Sequence, residues 1–278
     1  MRGFEVRKGG VALLRGTSRP DVLVIDDPMA EHAERWVRRA REARVPVATL
    51  HDVGLAYAPS DLVIDGSIAP RVDAATLTLA GPTYAALDPS IATARSASSR
   101  VRRGVLIALG GGAHVTRWGH ALAVAILERR PDTRVRIAAG FTSKPAGEAD
   151  PRISWVLAPY GIADELQQTE VAVVGGGLTL YEAAALGAPP VAVAVVEAQR
   201  PTIQGFVRRR AAVDGGTLTG AASLARVADE VTTLLASASK ARRLGQAGAR
   251  LVDGRGVFRV ADAIRRLARR VEGRIHAA

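Results

Sequence analysis

The chain of 278 residues contains no cysteine, which removes disulfides, thiolate nucleophiles and cysteine-ligated metals from the chemistry open to it. Aromatic residues make up only 4%, too few for the stacking platforms on which single-strand nucleic-acid binders rely. Lysine is almost missing: three lysines stand against 35 arginines, so the formal charge of +11 is nearly all guanidinium. The arginines scatter, with Arg38, Arg39, Arg41 and Arg44 on one expected helix, Arg208 to Arg210 on another, and Arg265 to Arg274 near the end. A scattered set reads as a solvated basic surface with a weak peripheral attraction for acidic lipid membranes, and no nucleic acid is expected as a partner. No apolar run approaches the roughly 20 residues that span a bilayer. The opening MRGFEVRKGG lacks the apolar stretch of a secretory signal, so the expected location is cytoplasmic.

What is present fits a folded protein of two lobes, with 48% hydrophobic and 23% charged residues. Short apolar runs recur at 22–25, 45–50, 61–64, 105–109, 135–139, 153–157, 171–174 and 191–196, and helix-like stretches such as 30–43, 117–129 and 178–186 lie between them. Near-continuous apolar strands alternating with helices predict α/β architecture with mostly parallel sheets covered on both faces. SIATARSASSRVRRG (90–104) is small, polar and basic without apolar periodicity, and reads as a linker between lobes at 1–95 and 100–278. After residue 221 the pattern is helical throughout, over 222–236, 238–251 and 257–272.

Two places run strand, glycine cluster, helix. Gly110, Gly111 and Gly112 follow one strand, and Gly175, Gly176 and Gly177 follow another. Glycine there lets the backbone approach a ligand while the free N–H groups of the next helix point at it, which suits an anion such as phosphate. Neither turn has the Gly-Lys-Ser/Thr ending of a Walker loop, and a tight strand-to-helix turn accounts for such clusters equally well. Glu182 has two readings of equal weight. Thr179 and Glu182 have the T-x-x-E spacing of a capping box; alternatively, an acid beside a phosphate-binding helix accepts hydrogen bonds from ribose hydroxyls.

The stretch GGGLTLYEAAALGAPPVAVAVVEAQRPTIQGFVRRRAAVDGG (175–216) resembles the nucleotide-binding half of the GT-B glycosyltransferases, in particular the branch with the peptidoglycan UDP-N-acetylglucosamine transferase. LVIDD (23–27), LHDVGLAYAPSDLVIDGS (50–67), GPTYAALDP (81–89), LGGGAH (109–114) and VDGRGVFRVADAI (252–264) are similar, in order and spacing, to the UDP-2,4-diacetamido-2,4,6-trideoxy-β-L-altropyranose hydrolases of pseudaminic acid biosynthesis. The resemblance implies a GT-B fold of two Rossmann-like lobes that binds UDP or a UDP-sugar. It places Glu182 on the uridine ribose, Gly175, Gly176, Gly177, Leu178 and Thr179 at the diphosphate, Gln199 in the loop after the strand, and Gly110 to Gly112 along the same cleft.

Departures from that pattern fall on the sugar side. The family's G-x-G-H loop with its catalytic histidine does not occur, so the first lobe is expected to be incomplete; a start roughly 60–80 residues upstream would supply the loop, by typical lobe sizes. Ile25-Asp26-Asp27-Pro28 replaces Ile-Asp-His-Tyr, and Ala198-Gln199 replaces Asn-Gln. Asp26 and His114 are the candidate catalytic residues, Asp26 against a reading as strand-end cap and His114 against a reading as phosphate or solvent contact. Tyr84 and Tyr181 are taken as packing residues. Neither a cofactor nor a metal is expected, since no Asp-x-Asp pair occurs. The resulting expectation is a hydrolase or glycosyltransferase-like enzyme that releases UDP from a UDP-amino-sugar in surface-glycan synthesis. The alternative is a degenerate nucleotide-sugar binder or regulator without chemistry. An unpaired strand edge near 22–26 predicts cover from residues 1–20 or a homo-oligomer.

Overall fold

The computed structural model describes residues 14, 19–27, 29–51, 58–70, 77–96, 101–140, 150–158 and 161–275. The first part runs β1 (Leu23–Ile25), α1 (Ala30–Glu42), β2 (Val47–His51), β3 (Leu62–Asp65), β4 (Thr78–Ala80) and α2 (Pro89–Ser96). Then follow β5 (Val105–Ala108), α3 (His114–Arg129), β6 (Val135–Ala138), β7 (Ile153–Val156), α4 (Ala163–Gln167), β8 (Val171–Gly175) and α5 (Leu178–Ala185). The chain ends with β9 (Pro190–Ala194), α6 (Arg200–Arg208), β10 (Val213–Thr217), α7 (Ala221–Leu235), α8 (Ala238–Leu251) and α9 (Gly256–Ile275).

Two sheets form, one in the order β1-β2-β3-β4 and one in the order β10-β9-β8-β5-β6-β7. Among the described residues every strand pair is parallel. This is the expected α/β architecture of two Rossmann-like lobes. Strands β5, β8 and β9 are buried along their whole length, which is why they read as unbroken apolar runs rather than alternating ones. Helix α3 turns Val115, Trp118, Gly119, Leu122, Ala123, Ile126 and Leu127 inward at helical spacing against the second sheet.

The linker reading of 90–104 is corrected over its first half. Pro89–Ser96 is helix α2, and its Ile91 is buried in the second lobe's core with Leu166, Leu180 and Tyr181. The arginine that made the segment look like a solvated linker is a cap: the Arg95 guanidinium donates to Ala185 O at the end of α5 and, at 2.7 Å, to Ala249 O near the end of α8. Arg102 does the same for Leu186 O at 2.7 Å. Cations at helix C-termini satisfy orphan carbonyls and oppose the negative end of the dipole. The final helix also departs from the expected grouping, since Val260, Ala263 and Ile264 of α9 pack with Ala48, Leu62 and Ile64 of the first sheet.

Strand β10 escaped the sequence reading because VDGGT carries two glycines and an acid. A side chain at Gly215 would begin 2.7 Å from Val193 Cγ1, so the strand pairs with β9 only with glycine there. Asp214 is held by a two-pronged ion pair with Arg200 at 2.7 and 2.9 Å.

The lobes meet at Ile68, three residues beyond β3. Its side chain presses on Gly205 of α6, where an added Cβ would lie 2.3 Å from Ile68 Cγ2. Its backbone N–H donates to the Tyr181 hydroxyl at 2.8 Å. Tyr181 is fully buried and meets the Phe206 ring edge-on at 4.9 Å between centroids, so its packing role also joins the lobes. At the other side of the first sheet, Leu14 is buried with Ile25, Ala33 and Val37 while Val24 of β1 stays exposed. The rest of the segment expected to cover that edge, apart from Arg19 and Pro20, lies outside the described residues, as does Pro28.

Candidate functional site

The second sheet reverses its winding between β5 and β8. From β5 the chain proceeds outward to β6 and β7, then returns to the opposite side of β5 and proceeds outward again through β8, β9 and β10. Such a switch point opens a crevice beyond the carboxyl ends of the two strands, and ligands of open α/β sheets bind there. Both glycine turns stand at this crevice, 110–112 after β5 and 175–177 at the end of β8.

The turns touch. A Cβ on Gly175 would lie 3.2 Å from Leu109 O, and one on Gly140, after β6, would lie 2.7 Å from Gly110 O. Gly140 has φ of +60°, so both its conformation and its space require glycine. Gly176 is the most constrained: a Cβ there would meet Gln199 Cβ and Ile203 Cγ1, each at 2.8 Å. The second turn is therefore clamped against the start of α6. By contrast, Gly110 has open space where a side chain would be, and Gly110 and Gly112 are exposed. One turn is fixed by packing, and the other leaves its backbone open to the crevice.

Gln199 is fixed beside the clamped turn. Val195 N donates to its Oε1 at 3.0 Å, which leaves Nε2 about one contact distance from the turn, 3.7 and 4.0 Å from where side chains on Gly175 and Gly177 would begin. The amide thus offers a donor where the backbone N–H groups at the start of α5 also point. Leu178 and Thr179 are the first two residues of α5; Leu178 is exposed and Thr179 partly so.

The capping-box reading of Glu182 is overturned. The N-cap of α5 is Gly177 and no side chain caps it, so Thr179 is the second helical residue and Glu182 the fifth, a turn too late to reach the N-cap amide. Among the described residues the Glu182 carboxylate accepts no hydrogen bond. It is largely buried, and burial, reinforced by the charge of Asp88, pushes its pKa up to about 7. Asp88 itself accepts from Ser90 N at 2.8 Å at the start of α2. A largely buried carboxyl without a donor, aimed into no internal bond, is an acceptor kept in reserve.

The candidate acids and bases separate. His114 opens α3 with its ring over Gly112, 3.5 Å from the position of an added Cβ, at the edge of the crevice. Asp26 follows β1 at the far edge of the first sheet and is exposed. Asp27 accepts from Met29 N at 2.8 Å and lies 3.6 Å from His32, so it serves the start of α1 rather than a substrate. The polar groups at the carboxyl ends of β2 and β3, His51 and Asp65, lie within the 50–67 stretch that carries the resemblance, but sequence reading gave them no role because neither belongs to a glycine motif. Among the described residues, no group of three histidine or acidic side chains could hold a metal ion, and no helix is long and apolar enough to cross a membrane.

No known family profile matches the chain. It is 30% identical over 218 residues to the spore coat polysaccharide biosynthesis protein SpsG of Bacillus subtilis, a match covering 72% of this chain and 63% of the relative, so less than two thirds of that relative's length is spanned. Among solved structures, the UDP-GlcNAc 2-epimerase of Neisseria meningitidis, bound to UDP-GlcNAc, superimposes with a TM-score of 0.62 at 10% identity, over 89% of this chain and 77% of that one. The calicheamicin glycosyltransferase CalG4 gives 0.61 at 18% identity, over 94% and 76%. MurG of Acinetobacter baumannii gives 0.54 at 14% identity, over 84% and 70%. At these identities the structures establish the fold, which is of the GT-B type.

Proposed function

We propose that the chain binds a UDP-sugar in the β5/β8 crevice and cleaves its glycosyl–oxygen bond, releasing UDP, as a hydrolase or glycosyltransferase-like enzyme of polysaccharide synthesis. The observation that carries this reading is the meeting of the Gly110–Gly112 and Gly175–Gly177 turns with the fixed Gln199 amide at one switch point, and it is supported by Glu182, in the second turn of the helix that follows, whose carboxylate accepts no hydrogen bond among the described residues. Backbone N–H groups and the start of α5 bind the diphosphate and stabilise the charge that builds on it as it leaves. Glu182 receives the ribose hydroxyls. The sugar projects toward the first lobe, which meets the second at Ile68 beyond β3, and the lobes at 1–95 and 100–278 divide this labour, with α9 returning to the first sheet.

Likeness to SpsG supports a role in a polysaccharide pathway, and the UDP-GlcNAc and glycosyltransferase neighbours support a nucleotide-sugar as ligand. The resemblance to the pseudaminic acid hydrolases makes a UDP-amino-sugar the first substrate to try. Isothermal titration with UDP, followed by a UDP-release assay across UDP-amino-sugars, tests the reading. Binding with turnover supports it, and absence of UDP binding rejects it. Binding without turnover supports the second reading, a nucleotide-sugar-binding protein that performs no chemistry. That reading draws on Asp27, which stands where the hydrolases have histidine, being engaged at α1.

A further inference from the structure

We infer that His51 and Asp65, at the carboxyl ends of β2 and β3, form the proton-accepting pair for the sugar, with His51 as general base and Asp65 as its positioning residue. The inference rests on the nucleotide-sugar reading above and supplies the base that reading lacks.

Among the described residues, His51 is the buried histidine and Asp65 the buried carboxylate, exposed by 7% and 1%. They are direct register partners on neighbouring parallel strands, so their Cα atoms lie about 5 Å apart and their side chains leave the same face of the sheet. Both end their strands, the position from which parallel sheets present functional groups. The polar residues deeper in this sheet are satisfied internally: Thr49 Oγ1 bonds Ala58 O at 3.1 Å and Ser60 Oγ at 3.0 Å. At the sheet end the pattern changes. Ser67 N donates to Asp65 Oδ1 at 2.9 Å, but the buried Ser67 hydroxyl has no hydrogen-bond partner. Leaving such a group unmade costs about 1–3 kcal/mol, a cost that a ligand hydroxyl removes. The next residue, Ile68, is bonded to Tyr181, whose chain neighbour is Glu182. The pair therefore lies on the first-lobe side of the same lobe junction as the ribose acceptor.

The step balances as follows. The oxygen of an acceptor hydroxyl, from water or a second sugar, forms a bond to the anomeric carbon. The bond from that carbon to the β-phosphate oxygen breaks, and its electron pair leaves with UDP. The acceptor's proton passes to the His51 imidazole, the Asp65 carboxylate stabilises the imidazolium, and the proton is later lost to solvent.

The test uses the full chain and the variants His51→Gln and Asp65→Asn, with UDP titration, UDP release from UDP-amino-sugars, and thermal unfolding. The expected result is UDP affinity within about twofold of wild type for both. His51→Gln should lower kcat about 100- to 10,000-fold at little-changed KM, and Asp65→Asn should lower kcat by less, again with KM held. If wild type fails to bind UDP, the nucleotide reading itself falls. If wild type binds UDP but turns over no substrate, or if His51→Gln keeps kcat within about threefold, the base assignment is overturned while the nucleotide site stands. Should Asp65→Asn unfold the protein, Asp65→Glu replaces it, and a raised KM with unchanged kcat there rejects the positioning role.

Discussion

On the proposed function, the two lobes meet the ligand in opposite ways. The second builds its half of the crevice from backbone: glycine turns without side chains, a helix start, and one amide pinned by Val195. The first contributes side chains, with ionisable groups buried at the ends of β2 and β3. Diphosphate and ribose are common to every UDP-sugar, and rigid backbone donors suit a constant group. The sugar differs between substrates, and side chains can change without disturbing a sheet. The comparison predicts that changes in the second lobe alter binding of every UDP compound alike, whereas changes in the first alter turnover of particular sugars.

The largest expected effect is on the joint that makes one crevice of the two halves. Ile68→Ala empties the contact with Gly205 and should destabilise the fold by about 2–5 kcal/mol. Chemical denaturation should then split into two transitions, the first sheet melting first, since its strands are few and part of its core comes from α9. A single transition with unchanged midpoint would show that Ile68 does not couple the lobes. Next in size is Gly176→Val, whose side chain meets Gln199 and Ile203. The overpacking should cost about 1–3 kcal/mol and displace the turn, weakening UDP binding about tenfold to a hundredfold. Gly110→Ser meets no neighbouring atom, so its cost of about 1–3 kcal/mol should come from the φ of +95° alone, without displacing the clamped turn.

That contrast also explains what was legible from residues alone. The eight apolar runs became strands because β5, β8 and β9 are covered on both faces and need no polar positions. Strands β4 and β10 were hidden, the latter because its glycines and Asp214 serve β9 and Arg200 rather than a core. Helix α2 was hidden because its arginine and serines look solvated, although Arg95 caps two other helices. At the site, backbone-built features leave a local signature, glycines after a strand, and were readable. Glu182 stayed ambiguous because T-x-x-E fits a cap or a ligand, and only the helix start at Leu178 separates them. His51 and Asp65 fall within the 50–67 stretch that carries the resemblance, yet no role could be read for them, since their meeting depends on the register of two strands joined by a long connection.

A smaller effect concerns Glu182 and acidity. Its pKa is raised from the usual carboxyl range to about 7, so the ligand-free fold favours the protonated form. The stability this contributes is fully present below about pH 4.5 and is lost as pH rises through about 7, on the order of 3 kcal/mol. Ribose hydroxyls donating to the carboxylate favour its ionised form and pull the pKa down. UDP binding near pH 6.5 should therefore release part of a proton, and affinity should weaken by up to about tenfold per unit as pH falls below 7. Titration in buffers of different ionisation heat measures the proton, and Glu182→Gln, as the control for ionisation of UDP itself, should remove this component. An unchanged proton count in Glu182→Gln would take the carboxylate away from the ribose.

The smallest effect lies at the opposite end of α5. Its start faces the crevice with free N–H groups, while its end is closed by Arg95 on Ala185 O and Arg102 on Leu186 O. Replacing Arg95 by Gln removes charge-assisted bonds to two helix ends, but Arg95 is itself exposed and helix-end cations contribute modestly, so the loss should be about 1 kcal/mol and a few degrees in melting temperature. UDP affinity should not change, because the dipole's influence falls off within the terminal turn and Ala185 lies at the far end of the helix from Gly177. If Arg95→Gln weakened UDP binding as much as Gly176→Val, the clamp on the glycine turn would be transmitted through the whole helix. The backbone half of the crevice would then be a moving part rather than the fixed frame against which the first lobe's side chains act.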